Sequence, residues 1–237
     1  MVLRIAPVLL LAAGASLFAA DPSVPAAPQK VTVTHTETLT LPAGGTVRIQ
    51  HSTGELDIEG WDRADVEITT IKSTQDFFSA ADRAKGTAEL ERVHVSAAVN
   101  GKDVVVTTAY PHHAFPLSMV LAGSGVDVAY RIKVPMDAAI VVDHGAGEVN
   151  FDHVTGDLQA HVHNGGITLD LPAESQYGID ARAKWGNEIV DFPGKSHRRF
   201  WLVGHEFEGG EGAHKLSLRA GFGDIIVLKE WKPDATH

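Results

Sequence analysis

The feature that most constrains this chain is a recurring pattern, apolar-x-apolar-x-x-x-x-Gly-x-apolar-x-apolar, whose glycine keeps a nearly constant phase. It runs through Ile140, Val142, Gly147, Val149 and Phe151, then through Leu158, Ala160, Gly165, Ile167 and Leu169, and less regularly through Ile179, Ala181, Gly186 and Val190. An upstream copy lies at Val47, Ile49, Gly54, Leu56 and Ile58, and a final one at Leu216, Leu218, Gly223, Ile225 and Val227. Alternation buries one face of each short strand, and the glycine permits a corner that a β-carbon would obstruct. The glycines at 147, 165, 186 and 223 are 18, 21 and 37 residues apart. A unit of about 20 residues is too small for a core of its own and must cover the apolar face of its neighbour.

The expected fold class is therefore all-β, a two-sheet β-solenoid or β-helix-like stack with one short helix. The copies at 147, 165 and 186 are expected as adjacent coils, and the copy at 223 as a coil that follows an insertion. An antiparallel β-sandwich is the alternative, because it too shows many short alternating strands with turn signals.

The 237 residues divide simply. Arg4, the apolar run 5–13 and the small-residue exit ending at Ala20 have the form of an export signal, too short to span a bilayer comfortably, so residues 1–20 are expected to be a signal peptide cleaved near Ala20. Pro22, Pro25 and Pro28 make residues 21–30 an extended linker. Residues 31–231 form a single β-repeat domain, and residues 232–237 a polar tail. The expected location is the periplasm or cell surface, with no transmembrane span in the mature chain.

Cysteine is absent, which excludes a disulfide framework, a thiol nucleophile, a cysteine zinc site and a lipobox anchor. The net charge of −10 becomes −11 when Arg4 leaves with the signal. Binding to nucleic acid or anionic lipid needs a positive field, so such partners are not expected.

Several local signals interrupt or flank the repeat. Phe77, Ala81, Ala84 and Ala88 fall at helical spacing, with Ser73 and Asp76 in capping-box spacing, so residues 73–92 are expected to hold the helix, which Gly86 weakens. Asn100-Gly101 marks a hairpin turn between the Val93, Val95 and Val104, Val106 strands. Residues 109–125 read as a loop that carries His112 and His113. Trp61, in a Gly-Trp-Asp turn, is expected to cap the first sheet rather than stack on a sugar.

Candidate chemistry is sparse. His161 and His163 lie two apart on a strand and share a face, beside the equivalent Asp143 and Arg182; with His144 or His153 brought near by stacking they are weak metal-ligand candidates, although Lys184 at the position equivalent to His163 would repel a cation. The outward positions after the corner hold Glu55, Glu148, Gly166, Asn187 and Asp224, then Asp57, Asn150, Thr168, Ile189 and Ile226; neither column holds acids in adjacent coils among those at 147, 165 and 186, and no hydrolase, zincin or phosphate-loop motif is present. No catalytic residue and no cofactor are expected. In the insertion, Arg198, Arg199 and Trp201 form a basic-aromatic cluster suited to a carboxylated glycan or an acidic partner, and a further hairpin with inward aromatics is the competing account.

The segments Gly54-Glu55-Leu56-Asp57-Ile58-Glu59-Gly60-Trp61-Asp62, Tyr130-Arg131-Ile132-Lys133-Val134-Pro135, Val154-Thr155-Gly156 and Asn164-Gly165-Gly166-Ile167, in that order, resemble the bacterial envelope family described as "putative adhesin", a domain of unknown function. The resemblance spreads over residues 31–228. It implies a non-catalytic β-rich repeat domain outside the cytoplasm, acting as an interaction or structural module on an unknown protein or glycan of the cell envelope. The helix and the insertion depart from that pattern. A glycan-active β-solenoid enzyme and a regulatory partner of an envelope stress system are the alternative functions.

Overall fold

In the computed structural model, which describes residues 27–109, 125–172, 176–198 and 204–230, alternation in the sequence becomes two mixed β-sheets packed face to face. One sheet contains β1 (Thr32–Thr40), β3 (Leu56–Trp61), β4 (Asp65–Thr74), β7 (Val126–Pro135), β9 (Val149–Asp152), β11 (Ile167–Pro172), β13 (Glu188–Val190) and β17 (Ile225–Glu230). The other contains β2 (Thr46–Thr53), β5 (His94–Asn100), β6 (Asp103–Ala109), β8 (Ala139–Ala146), β10 (Leu158–Asn164), β12 (Tyr177–Trp185), β14 (Gly194–Arg198), β15 (His205–Gly209) and β16 (His214–Phe222). Their orders are β1-β4-β7-β3-β9-β11-β17-β13 and β14-β15-β12-β16-β10-β8-β2-β6-β5.

Each sequence copy contributes its first strand to the nine-stranded sheet and its second to the eight-stranded one. The copies pair in parallel and in register: Ile140 stands between Val47 and Leu158 in one sheet, and Val149 between Leu56 and Ile167 in the other. Antiparallel strands flank these rungs, β1-β4-β7 and β5-β6 at one end and β14-β15, paired on the outer side of β12, at the other. The inward residues of both sheets make one core, with Ile49, Leu56, Ile58, Ile140, Phe151, Ile167, Leu169 and Leu216 among its fully buried members. Each such side chain contributes about 1.5–3 kcal/mol of burial, so the facing apolar columns are the main source of cohesion in a chain without disulfides.

The corner glycines stack directly on one another. Gly147 and Gly165 have φ of +128° and +143°, and a β-carbon on Gly165 would sit 1.9 Å from the carbonyl oxygen of Gly147. The same column continues from Gly165 to Gly223 and from Gly223 to Gly186, with 2.1 Å and 2.0 Å to the preceding carbonyl. Backbone bonds such as Gly147 N–H to Asn164 O (2.9 Å) and Gly165 N–H to Phe222 O (2.7 Å) tie successive corners together. Glycine is needed here for both conformation and close approach.

The rungs do not follow chain order. β16 lies between β10 and β12, and β17 between β11 and β13, so the final copy is inserted between those at 165 and 186. The expected adjacency of those two copies is thereby corrected. The excursion after β13 folds as the β14–β15 hairpin, which pairs along the outer side of β12, while the other side of β12 is left for the returning β16. The hairpin covers an edge that would otherwise expose its backbone groups.

The helix is shorter than its periodicity implies. α1 spans Arg83–Leu90, and Ser73 and Thr74 belong to β4, because β1 and β7 extend the ladder on both sides to that point. Ser73 bonds Thr32 across the strands, Phe77 is exposed, and the buried positions of α1 are Gly86 and Leu90. A ladder on two sides thus overrides a local helical pattern. The β5–β6 turn is also shifted by one residue: Asn100 pairs with Asp103, leaving Gly101 and Lys102 at the centre, with positive φ only at Gly101.

Candidate functional site

His161 projects outward from β10, between Asp143 on β8, whose carboxylate is 3.4 Å from its Nδ1, and Arg219 on β16. The expected neighbour Arg182 is one strand further away, a consequence of the inserted β16. His163 meets Phe222 edge-on at 6.4 Å. His144 points into the core and His153 pairs with Asp152 on the other sheet at 2.8 Å, so neither converges on His161 and His163.

One group of three carboxylates does converge. Asp180 on β12 and Glu206 and Glu208 on β15 bring oxygens within 4.8 Å of one another. The Arg182 guanidinium stands among them, with Nε 3.0 Å from Asp180 and 2.8 Å from Glu206, and Nη2 3.5 Å from Glu208. Arg219 also binds Asp180, at 2.5 Å. Burial pushes the Asp180 carboxyl up, but the Arg219 and Arg182 guanidiniums outweigh it and hold it below its ordinary value. Two arginines already supply the countercharge a cation would provide, so this cluster is an ion-pair network joining β12, β15 and β16.

The outward acids at the corner have structural partners. In spatial order the column reads Glu55, Glu148, Gly166, Asp224, Asn187. Glu148 Oε2 accepts from Gly166 N–H at 3.1 Å, and Asp224 Oδ1 accepts from Asn187 N–H at 2.8 Å. In the next column Asn150 donates to Asp57 at 2.9 Å. Glu148, Asp224 and Asp57 thus each satisfy a backbone or amide donor on the following rung.

An exposed aromatic pair stands beside these acids. Trp185 and Phe222 occupy the position just before the corner glycine, where Ala146 and Asn164 stand on neighbouring rungs. Their rings are parallel to within 3°, with centroids 6.1 Å apart, and they are 41% and 50% exposed. Apolar rings of this size usually reside in a core, so a stacked pair left half-exposed on the sheet is a candidate contact surface. Sequence reasoning missed the pair. Its signal was present, since the residue before each corner glycine reads Thr53, Ala146, Asn164, Trp185 and Phe222. Only the inserted rung, however, makes the last two neighbours.

Of the insertion candidates, Arg198 is exposed at the end of β14, while Arg199 and Trp201 lie outside the described residues, as do His112 and His113. β14 and β15 pair antiparallel, and Phe207 on β15 is buried, while Phe200, the other aromatic of that cluster, also lies outside the described residues. Trp61 ends β3 opposite Pro135, and its indole N–H donates to Asp65 O at 2.8 Å, with Arg63 4.8 Å from the ring.

Inside the core a polar cluster adjoins the corner column. His51 and His144 are adjacent inward residues of β2 and β8, with ring centroids 5.0 Å apart. His51 Nδ1 lies 3.0 Å from Thr108 Oγ1 and its Nε2 3.1 Å from Val128 O, and Thr108 in turn bonds Tyr130 Oη at 2.8 Å. Neither ring nitrogen of His144 completes a well-aligned hydrogen bond. Burial, and then the proximity of His144, lowers the His51 pKa to about 4; burial also lowers that of His144 and raises the Tyr130 hydroxyl to about 12. Both imidazoles are therefore neutral packing groups at pH 7.

No protein-family model matches the chain, and no curated protein matches it in sequence. Among the described residues no helix is long and apolar enough to cross a membrane. Among solved structures, a "putative cell adhesion protein" from Clostridium sporogenes aligns over 84% of this chain and 100% of its own, with 12% identity and a TM-score of 0.48. A "putative adhesin" from Bacteroides fragilis aligns over 85% and 99%, with 10% identity and a TM-score of 0.34. A "putative adhesin" from Parabacteroides merdae aligns over 82% and 96%, with 9% identity and a TM-score of 0.23.

Proposed function

We propose that this protein is an exported, non-catalytic interaction module of the bacterial cell envelope, adhesin-like in role, in which solenoid-like parallel rungs form a rigid scaffold for a surface contact centred on Trp185 and Phe222. The observation that carries the proposal is that exposed parallel ring pair on adjacent rungs of the scaffold. The partner class is an envelope glycan: parallel aromatic faces stack on the C–H face of a sugar ring, and the flanking Asn164, Lys184 and Asn187 offer amide and ammonium donors. A non-catalytic role is supported by the engagement of Glu148, Asp224 and Asp180 in hydrogen bonds and ion pairs, which leaves them poorly placed as a free acid and base.

The test is binding of the purified protein to immobilised envelope polysaccharide fractions, measured beside Trp185→Ala and Phe222→Ala, with release of reducing ends monitored in the same samples. Saturable binding that both substitutions weaken about tenfold or more, without turnover, is the expected result. Binding indifferent to both substitutions sinks the assignment of the contact, and turnover sinks the non-catalytic role.

A further inference from the structure

The two ends of the sheets are guarded very differently. At the hairpin end, the nine-stranded sheet stops at β14, five exposed residues that include Lys195, His197 and Arg198, and the eight-stranded sheet stops at β13, only three residues long. Short and charged edge strands resist pairing with another chain. At the opposite end the sheets stop at β1 and β5, nine and seven residues long, without proline and with unbroken ladders to β4 and β6. Among the described residues no strand pairs with their outer edges. Between the two edges lies an opening of about 380 Å³ lined by Val33, His35, Glu37, Lys72, Val95 and Ala97, among other residues. Val33 and Val99, one on each edge strand, are each 45% exposed.

The sequences of the two edges are complementary to themselves. If two copies of β1 pair antiparallel with Thr36 opposite Thr36, the inner face sets Val33 against Leu39 and His35 against Glu37, each twice, and the outer face sets threonine against threonine throughout. The neighbouring registers, centred on residue 35 or 37, oppose His35 to itself or Glu37 to itself. A second copy of β5 centred on Ala97 sets Val95 against Val99 and Ala97 against Ala97. Thr36 and Ala97 lie in the same zone of this end, because the opening that borders His35 and Glu37 also borders Ser96 and Ala97. A single two-fold axis passing from sheet to sheet near Thr36 and Ala97 would satisfy both pairings.

We propose that this end is an isologous interface at which a second copy of the chain continues both sheets, β1 against β1 and β5 against β5, closing the opening between them. The paired residues are self-complementary in polarity and charge, as a two-fold contact requires.

The test uses sedimentation equilibrium and a single engineered cysteine in a chain that has none. The protein is expected to sediment with twice the chain mass, and Val33→Lys with Val99→Lys to weaken association roughly a hundredfold or more, since inward lysines must be desolvated at symmetric positions. Under mild oxidation Thr36→Cys is expected to form a disulfide-linked dimer, because its α-carbons would lie about 4.5–5.5 Å apart on the axis. Thr38→Cys, displaced by two residues on each strand, would leave its α-carbons roughly 14 Å apart and is expected to stay unlinked. Both sites are exposed, so folding is preserved in each. A monomer at all concentrations overturns the proposal, and so does a dimer in which Thr36→Cys links no better than Thr38→Cys.

Discussion

The corner column makes a quantitative prediction at Gly165. Substitution to alanine places a β-carbon 1.9 Å from the Gly147 carbonyl oxygen and 2.6 Å from its carbon, and the backbone there has φ of +143°. A non-glycine residue in such a sparsely populated region costs about 1–3 kcal/mol. The contact with Gly147 is backbone against backbone, so no rotamer relieves it; the rungs must separate, weakening the bonds from Gly165 to Phe222 O and from Gly147 to Asn164 O. Two such bonds add about 1–3 kcal/mol, so the total is roughly 2–6 kcal/mol. Gly44→Ala supplies the control: φ there is +69° and nothing lies within 4 Å of the added carbon, so it carries the conformational cost alone, about 1–2 kcal/mol. Urea unfolding followed by circular dichroism measures both, and a domain of this size loses about 2–4 °C in melting temperature for each kcal/mol. If Gly165→Ala is no more destabilising than Gly44→Ala, the stacked corner is not the constraint described above.

Acid should weaken the fold through His51. Its pKa is about 4 folded against 6.5 unfolded, so the unfolded chain binds more protons between those values; the contribution is complete above pH 6.5 and is lost as pH falls toward 4. Stability at pH 5 is expected to be about 2 kcal/mol lower than at pH 8 from this residue, and His51→Gln to flatten that slope; an unchanged slope removes His51 from the account. Leu169→Ala, at a fully buried rung, is expected to cost about 2–5 kcal/mol, whereas Ile189→Ala, at a position 53% exposed, stays within about 0.5 kcal/mol; calorimetry that shows equal losses contradicts the placement of the core. Trp185→Ala should reduce glycan binding while shifting stability by less than about 1 kcal/mol, so a large loss of melting temperature would reassign the ring to packing.

Much of this molecule is readable residue by residue. The copies at 147 and 165 appear as written because each strand alternates strictly and pairs with a neighbour close in sequence. The helix starts later than its periodicity implies because residues 73 and 74 obey helical spacing locally but are held by β1 and β7, strands that begin about 40 residues before and 50 after them. The buried histidines show the same limit. His51 and His144 sit in the inward phase of their strands, which alternation alone makes visible, yet their proximity to each other needs the pairing of β2 with β8, strands separated by most of the preceding chain.

By itself, then, the sequence determined the unit: two alternating strands, a glycine corner, and which side chain of each strand faces inward. These follow from the two-residue period of a strand and from the geometry only glycine adopts, both of which act over a few residues. Tertiary structure decided the order of the units. Placing the 223 copy between those at 165 and 186 brings Trp185 beside Phe222, moves Arg219 next to His161 and leaves the hairpin to cover β12. Rung order depends on which apolar face best covers which, and all the copies present similar faces, so no local pattern distinguishes one stacking order from another.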